Sequence, residues 1–145
     1  MITIKRANTK EDFKAYYALR YHVEREPSGQ PKGTEKDDFE PLGTHFMAVD
    51  SENGEVAGVA RFIEKDPGVG QLSHLAVHED WERQGIGRAL AQAVETEARR
   101  AGYRVLGCMA HQSTTEFLEK LGFEVKGVHS NPLGNVQLIW MEKEL

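Results

Sequence analysis

Two glycines flanked by arginines stand where a helical pattern begins, in Arg83-Gln84-Gly85-Ile86-Gly87-Arg88-Ala89-Leu90. A helix start exposes backbone N–H groups with no partner inside the helix. Those donors and the positive end of the helix dipole attract anions, phosphate above all. Glycine lets an anion approach the backbone closely because no Cβ intervenes. The chemistry on offer is therefore a pyrophosphate cradle. Just upstream runs the apolar stretch Leu72-Ser73-His74-Leu75-Ala76-Val77. His74, and later His111, are the candidate general bases, since imidazole titrates close to neutral pH. For each of them a hydrogen-bonded structural role is the competing reading. Cys108 sits among apolar neighbours, which suits a buried core residue better than an acyl-carrying nucleophile. His74 and His78 are four apart on a strand and would not converge on one ion, so no metal site is expected.

The elements that must hold these groups follow from periodicity. Ile2 and Ile4 alternate with polar residues and predict a strand over 2–7. Thr9 with Asp12 three residues on has capping-box spacing, and predicts a helix through Phe13, Tyr16, Tyr17, Leu19, Arg20 and Val23 that ends at Pro27. Residues 26–44 form a long irregular stretch, either a mobile surface loop or a substrate lid whose Glu35, Asp37, Asp38 and Glu40 attract a cation. Strands are predicted over 45–49, 56–63 and 71–78, with Asn53-Gly54 a strong hairpin signal. The helix after the glycines places Ile86, Leu90, Val94 and Ala98/Ala101 on one face, with Gly102 to end it. A strand over 103–110, a helix from Ser113 to Gly122, and strands over 123–129 and 136–142 complete the chain, the last two joined by a turn at 130–135. Trp81 and Trp140 read as packing residues; for Tyr16 and Tyr17 core packing, and for Arg20 a solvent-facing role, compete with a place at the border of a substrate pocket.

Length and charge set bounds. A chain of 145 residues is one domain's worth, and its formal net charge of −5 argues against nucleic acid or an anionic membrane as partner. The single cysteine permits no internal disulfide. No apolar run approaches the roughly 18–20 residues of a membrane span, and the N-terminus lacks a signal-peptide pattern, so a cytoplasmic location is expected.

Taken together, Leu75-Ala76-Val77, the short acidic connector, the stretch Arg83 to Leu90, and Phe117-Leu118-Glu119-Lys120-Leu121-Gly122-Phe123 resemble the GCN5-related N-acetyltransferase (GNAT) superfamily. The predicted order, β-α-β-β-β-α-β-α-β-β, matches that family over essentially the whole chain. In the N-terminal half Leu19-Arg20, residues 29–37 and His45-Phe46-Met47-Ala48-Val49 are similar to a bacterial group of the ElaA/YjcF type. The resemblance implies one α/β domain (mixed α+β) over 1–145, with a mixed, mostly antiparallel sheet of about seven strands flanked by helices. It implies acetyl-CoA as cosubstrate and no metal. Arg83, Gln84, Gly85, Ile86, Gly87, Arg88 and Ala89 would hold the pyrophosphate. Leu75, Ala76 and Val77, at a bulge that His74 precedes, would pair with the pantetheine arm as if with another strand. One free N–H there would polarise the thioester. Ser113 and Phe117 would complete the cofactor site, and splaying of the fourth and fifth strands would admit the arm.

The chain also departs from that family's pattern. Glu82 stands where Arg or Gln is usual, Leu118 where a Tyr serves as general acid, Ser113 and Met109 where Asn is common, and Leu138 where a His is often found. Loss of the acid slows the reaction without excluding it. A thiol titrates near ~8.5 and leaves readily, whereas a lysine-like amine titrates near ~10.4, so only about one in a thousand is neutral at pH 7. Activating the amine is the larger task, and it needs a base. The reading is an N-acetyltransferase acting on a primary amine of a small molecule or peptide by direct attack, as monomer or homodimer. Alternatives are a catalytically degenerate acyl-CoA-binding or regulatory module, and a nucleotide-phosphate binder that would hold ADP as tightly as acetyl-CoA.

Overall fold

Thr9 opens the first helix as the spacing predicts: its hydroxyl accepts the Asp12 N–H at 3.0 Å, and the Asp12 carboxylate accepts the Thr9 N–H in return. The computed structural model describes residues 1–130 and 137–145. Its elements are β1 Ile2–Arg6, α1 Lys10–Glu24, β2 Thr44–Asp50, β3 Val56–Asp66, β4 Val69–Val77, α2 Ile86–Arg100, β5 Val105–His111, α3 Thr115–Lys120, β6 Glu124–Ser130 and β7 Gln137–Glu144. This is the expected order. β3 and β4 run further toward each other than expected and leave only Pro67-Gly68 between them, with Gly68 at φ 79°. The helix expected from Ser113 begins two residues later, because Gln112–Thr114 form a 3₁₀ turn. Residues 131–135 of the expected last turn, and Val136, lie outside the described residues.

The seven strands form one sheet in the order β1-β2-β3-β4-β5-β7-β6. All neighbours are antiparallel except β4 and β5. Strand alternation divides the residues between two faces. Phe46, Ala48, Ala60 and Phe62 meet Ile86, Leu90 and Val94 of α2, while Met47 and Val59 meet Tyr16 and Leu19 of α1. Leu90 and Val94 are fully buried, each contributing about 1.5–3 kcal/mol. Gly58 allows the close approach of α2, since a Cβ there would lie 2.9 Å from Leu90 Cδ1. Ala101 falls past the helix end and is exposed. Gly102, at φ 88°, turns the chain away: its N–H reaches Arg99 O, and that of Tyr103 reaches Ala98 O.

Two irregularities make room in the middle of the sheet. β4 pairs with β5 only over Val69–Leu72, against Val105–Cys108. Beyond that point the strands part, although β5 stays paired with β7 as far as His111. β4 also bulges. Ala76 lies opposite Val59 and Ser73 opposite Arg61, so three steps of β4 match two of β3. His74 and Leu75 consequently have no register partner on either neighbouring strand.

Candidate active site

A cavity of about 610 Å³ occupies the gap where β4 and β5 part. Leu72, His74, Leu75 and Val77 form one wall; Cys108, Met109 and His111 form the other. Thr114, Phe117 and Leu118 close one end, and Trp81, Glu82, Arg83, Gly85, Ile86, Gly87 and Arg88 lead from it to the start of α2. Of the expected site residues, Ala76, Gln84, Ala89 and Ser113 do not line the cavity. Ala76 turns to the α1 face of the sheet, as strand alternation from Leu75 requires. Gln84 and Ser113 point to solvent from loop and 3₁₀ turn, and Thr114 stands at the cavity in place of Ser113. Trp81, expected only to pack, borders the cavity.

The glycine stretch has the form of an anion site. Gly85 is the N-cap of α2 at φ 77°, with no side-chain cap and no acidic residue in the first turn. The first helical bond runs from the Ala89 N–H to Gly85 O at 3.0 Å. The preceding N–H groups therefore have no partner within the helix. Arg83 is also left-handed, at φ 63°, a conformation uncommon for a residue with a Cβ. Gly87 sits beneath the Phe117 ring, where a Cβ would lie at 3.5 Å.

His74 lies within the bulge and does not precede it: β4 takes its extra residue there, at φ 51°. Such a backbone costs on the order of 1–3 kcal/mol and persists only where its surroundings enforce it. Its Nδ1 lies 2.8 Å from Glu24 Oε1 and its Nε2 3.4 Å from Asp37 Oδ2. Both nitrogens are thus engaged by carboxylates, which leaves no lone pair aimed at an incoming amine. Glu24, which sequence reasoning passed over, itself lines the cavity. His111, the last residue of β5, is exposed at the opposite wall. Leu118 is buried, with no proton to give. Burial pushes the Cys108 thiol up to about 12, which denies it a nucleophile's role.

The loop acids are not a free cationic trap. Arg61, buried on the α1 face, donates to both Asp37 oxygens at 2.6 and 3.0 Å and to Glu40 at 2.9 Å. Arg20, also buried, donates to Glu40 at 2.8 Å, to Glu35 O at 3.1 Å and to the Tyr16 hydroxyl at 2.7 Å. Glu35 is buried and accepts the Gly33 N–H at 2.7 Å; Asp37 and Asp38 are exposed, Asp37 with its carboxylate held by Arg61. The loop is bolted to α1 and β3, and Tyr16, Tyr17 and Arg20 belong to that bolt and not to the cavity wall. Burial opposes ionisation of Asp37 and Glu40, yet Arg61 and Arg20 outweigh it and hold both carboxyls below their usual range. His45 joins the same cluster: its Nε2 bonds Glu40 O and its Nδ1 the Tyr16 hydroxyl, each at 2.9 Å. Burial lowers its affinity for protons. A neutral ring donating from Nε2 and accepting at Nδ1 satisfies both partners.

Among the described residues two clusters bring histidine and carboxylates within metal-binding reach of one another, His22 with His78 and Glu79, and Asp37 with Glu40 and His74. In the first, the imidazole rings are stacked at 5.0 Å and 15°, so their in-plane lone pairs run side by side and do not converge. In the second, the carboxylates already hold Arg20 and Arg61. Among the described residues, no helix is long and apolar enough to cross a membrane.

The sequence model of the acetyltransferase (GNAT) family matches residues 9–123. A mycothiol acetyltransferase of Salinispora arenicola is 48% identical over 50 residues, 34% of this chain and 16% of that protein. An amino-acid acetyltransferase of Pseudomonas fluorescens is 30% identical over 93 residues, 64% of this chain and 21% of that protein. The chain thus spans only a fraction of these relatives' length. In fold, it is similar to a GNAT family acetyltransferase of Elizabethkingia anophelis with acetyl-CoA bound, at TM-score 0.81 and 22% identity, over 99% of this chain and 98% of that one.

Proposed function

Because the chain belongs to the acetyltransferase (GNAT) family, we propose that it transfers the acetyl group of acetyl-CoA directly to a primary amine of a small molecule or peptide. One observation carries this reading: a single cavity runs from the parted strands, past two backbone positions without strand partners, to an uncapped helix start. Those are the three environments an acyl-CoA demands. The helix start, with Arg83 and Arg88 beside it, suits the pyrophosphate. The gap between β4 and β5 accommodates a narrow, strand-like pantetheine. A backbone N–H at His74 or Leu75, where β4 has no register partner, would donate to the thioester oxygen as it gains charge, an interaction that strengthens in the transition state. With the Cys108 thiol buried and its pKa raised, direct attack suits the site better than an acyl-enzyme.

Calorimetry with acetyl-CoA and with ADP tests the cofactor assignment. Acetyl-CoA should bind more tightly, because the strand gap adds contacts that ADP cannot use; equal affinities would overturn it. Thiol release in the presence of spermidine, lysine, free amino acids and peptides tests the transfer. Leu118, buried where a proton donor is usual, favours a second reading, an acyl-CoA-binding module without turnover. Tight acetyl-CoA binding with no thiol release on any amine would select that module.

A further inference from the structure

We infer that Glu24 is the amine-binding group of the site: its carboxylate holds the primary ammonium of the acceptor beside the β4 bulge and takes its proton. This inference rests on the acetyl-transfer reading above. Glu24 is the last residue of α1, a helix packed on the face of the sheet opposite α2, yet its side chain reaches the cavity. It is one quarter exposed, open enough to meet a ligand. The other carboxylate at the cavity, Glu82, lies in the connector next to Arg83, beside the helix start.

His74 explains why Glu24 stands where it does. The bulge forces His74 into a left-handed backbone, and its ring bonds Glu24 at 2.8 Å. The far nitrogen faces Asp37, which Arg61 grips through both oxygens. Glu24 is thus oriented by a chain of contacts that begins at a buried arginine of β3. The residue that orients it is the same one whose backbone lacks a strand partner. Proton acceptor and thioester are thereby held at one bulge.

The step balances without further reagents. The ammonium gives one proton to the Glu24 carboxylate and becomes a neutral amine. Its lone pair forms the C–N bond to the acetyl carbon, and the C–S bond breaks with its electron pair leaving on sulfur. The proton shed by the new amide nitrogen passes to that thiolate, and Glu24 returns its own to water. The products are the acetamide, CoA thiol and one proton. His74 is a positioning residue in this scheme, and Glu24 the catalytic one.

Two inert CoA thioethers test the inference without knowledge of the natural acceptor. S-(2-aminoethyl)-CoA carries an ammonium near the position of the attacking nitrogen, and S-propyl-CoA is its neutral counterpart. Calorimetry on the whole protein gives the ratio of their affinities within each variant, so any effect common to both cancels. A charge-assisted hydrogen bond predicts a preference for the ammonium of about tenfold or more. Glu24→Gln, of nearly unchanged size, should reduce the ratio to about one, while His111→Asn keeps it. His74→Gln, which still offers Glu24 a donor, should keep more of the ratio than His74→Ala. Absence of the preference in the unaltered protein, its survival in Glu24→Gln, or its loss in His111→Asn would overturn the assignment. Equal loss in the two His74 variants would overturn the positioning role. Failure of acetyl-CoA itself to bind would instead overturn the cofactor reading.

Discussion

A side chain at Gly85 would find open space but the wrong backbone. Nothing lies within 4 Å of a Cβ built there, yet φ is 77°. An L-residue in that conformation costs roughly 1–2 kcal/mol. Gly85→Val should therefore distort the start of α2 and weaken acetyl-CoA binding about tenfold, read by calorimetry, with only a modest change in melting temperature. Gly107 presents the opposite case. Its backbone is ordinary, but a Cβ would lie 2.0 Å from the buried Trp140 ring. Gly107→Ala should lower stability by about 1–3 kcal/mol, a loss of several degrees in thermal denaturation. The glycines of the cradle were legible in the sequence because their spacing repeats a known mechanism. Glu24 was not: one acid at the end of a helix looks like any exposed acid. Only the bulge at His74, fifty positions further along the chain, gives it a role.

The stretch between α1 and β2 behaves as an extension of the core. Arg61→Ala would remove the cation that Asp37 and Glu40 share while leaving Arg20 on Glu40, and hydrogen bonds to charged groups are worth about 1.5–3 kcal/mol each. Limited proteolysis should then cut within residues 29–40, where the unaltered protein resists. Acid should loosen the same cluster in two windows. His45 binds protons less readily folded than unfolded, so stability present above the unfolded value of about 6.5 is lost as pH falls below it. Asp37 and Glu40 are held below their usual range, so their contribution is present above about pH 4 and is lost as pH falls further. His22, raised by Glu79 and Glu26, acts in the opposite sense, but it is exposed and solvent weakens its effect. His45→Gln should flatten the melting temperature in the upper window and leave the lower one intact. Periodicity revealed the strands and the cap at Thr9, since both are local signals. The pairing of Arg61 with Asp37 joins a strand to a loop that precedes it, and no spacing encodes that.

At the scale of the whole molecule, the order of elements could be read locally, while the neighbour relations came from resemblance. The parting of β4 from β5 was expected on that ground. What was not legible is how short their union is: four residues of each strand, Val69–Leu72 and Val105–Cys108, join the β1–β4 part of the sheet to the β5–β7–β6 part. The seam is therefore the line along which the sheet unzips with the fewest backbone bonds broken. Hydrogen exchange should be faster at His74 and Leu75, which have no register partner, than at Val69–Leu72 of the same strand, which are paired on both sides. A ligand lying across the seam would act as a clasp between the two parts, slowing exchange on both banks at once.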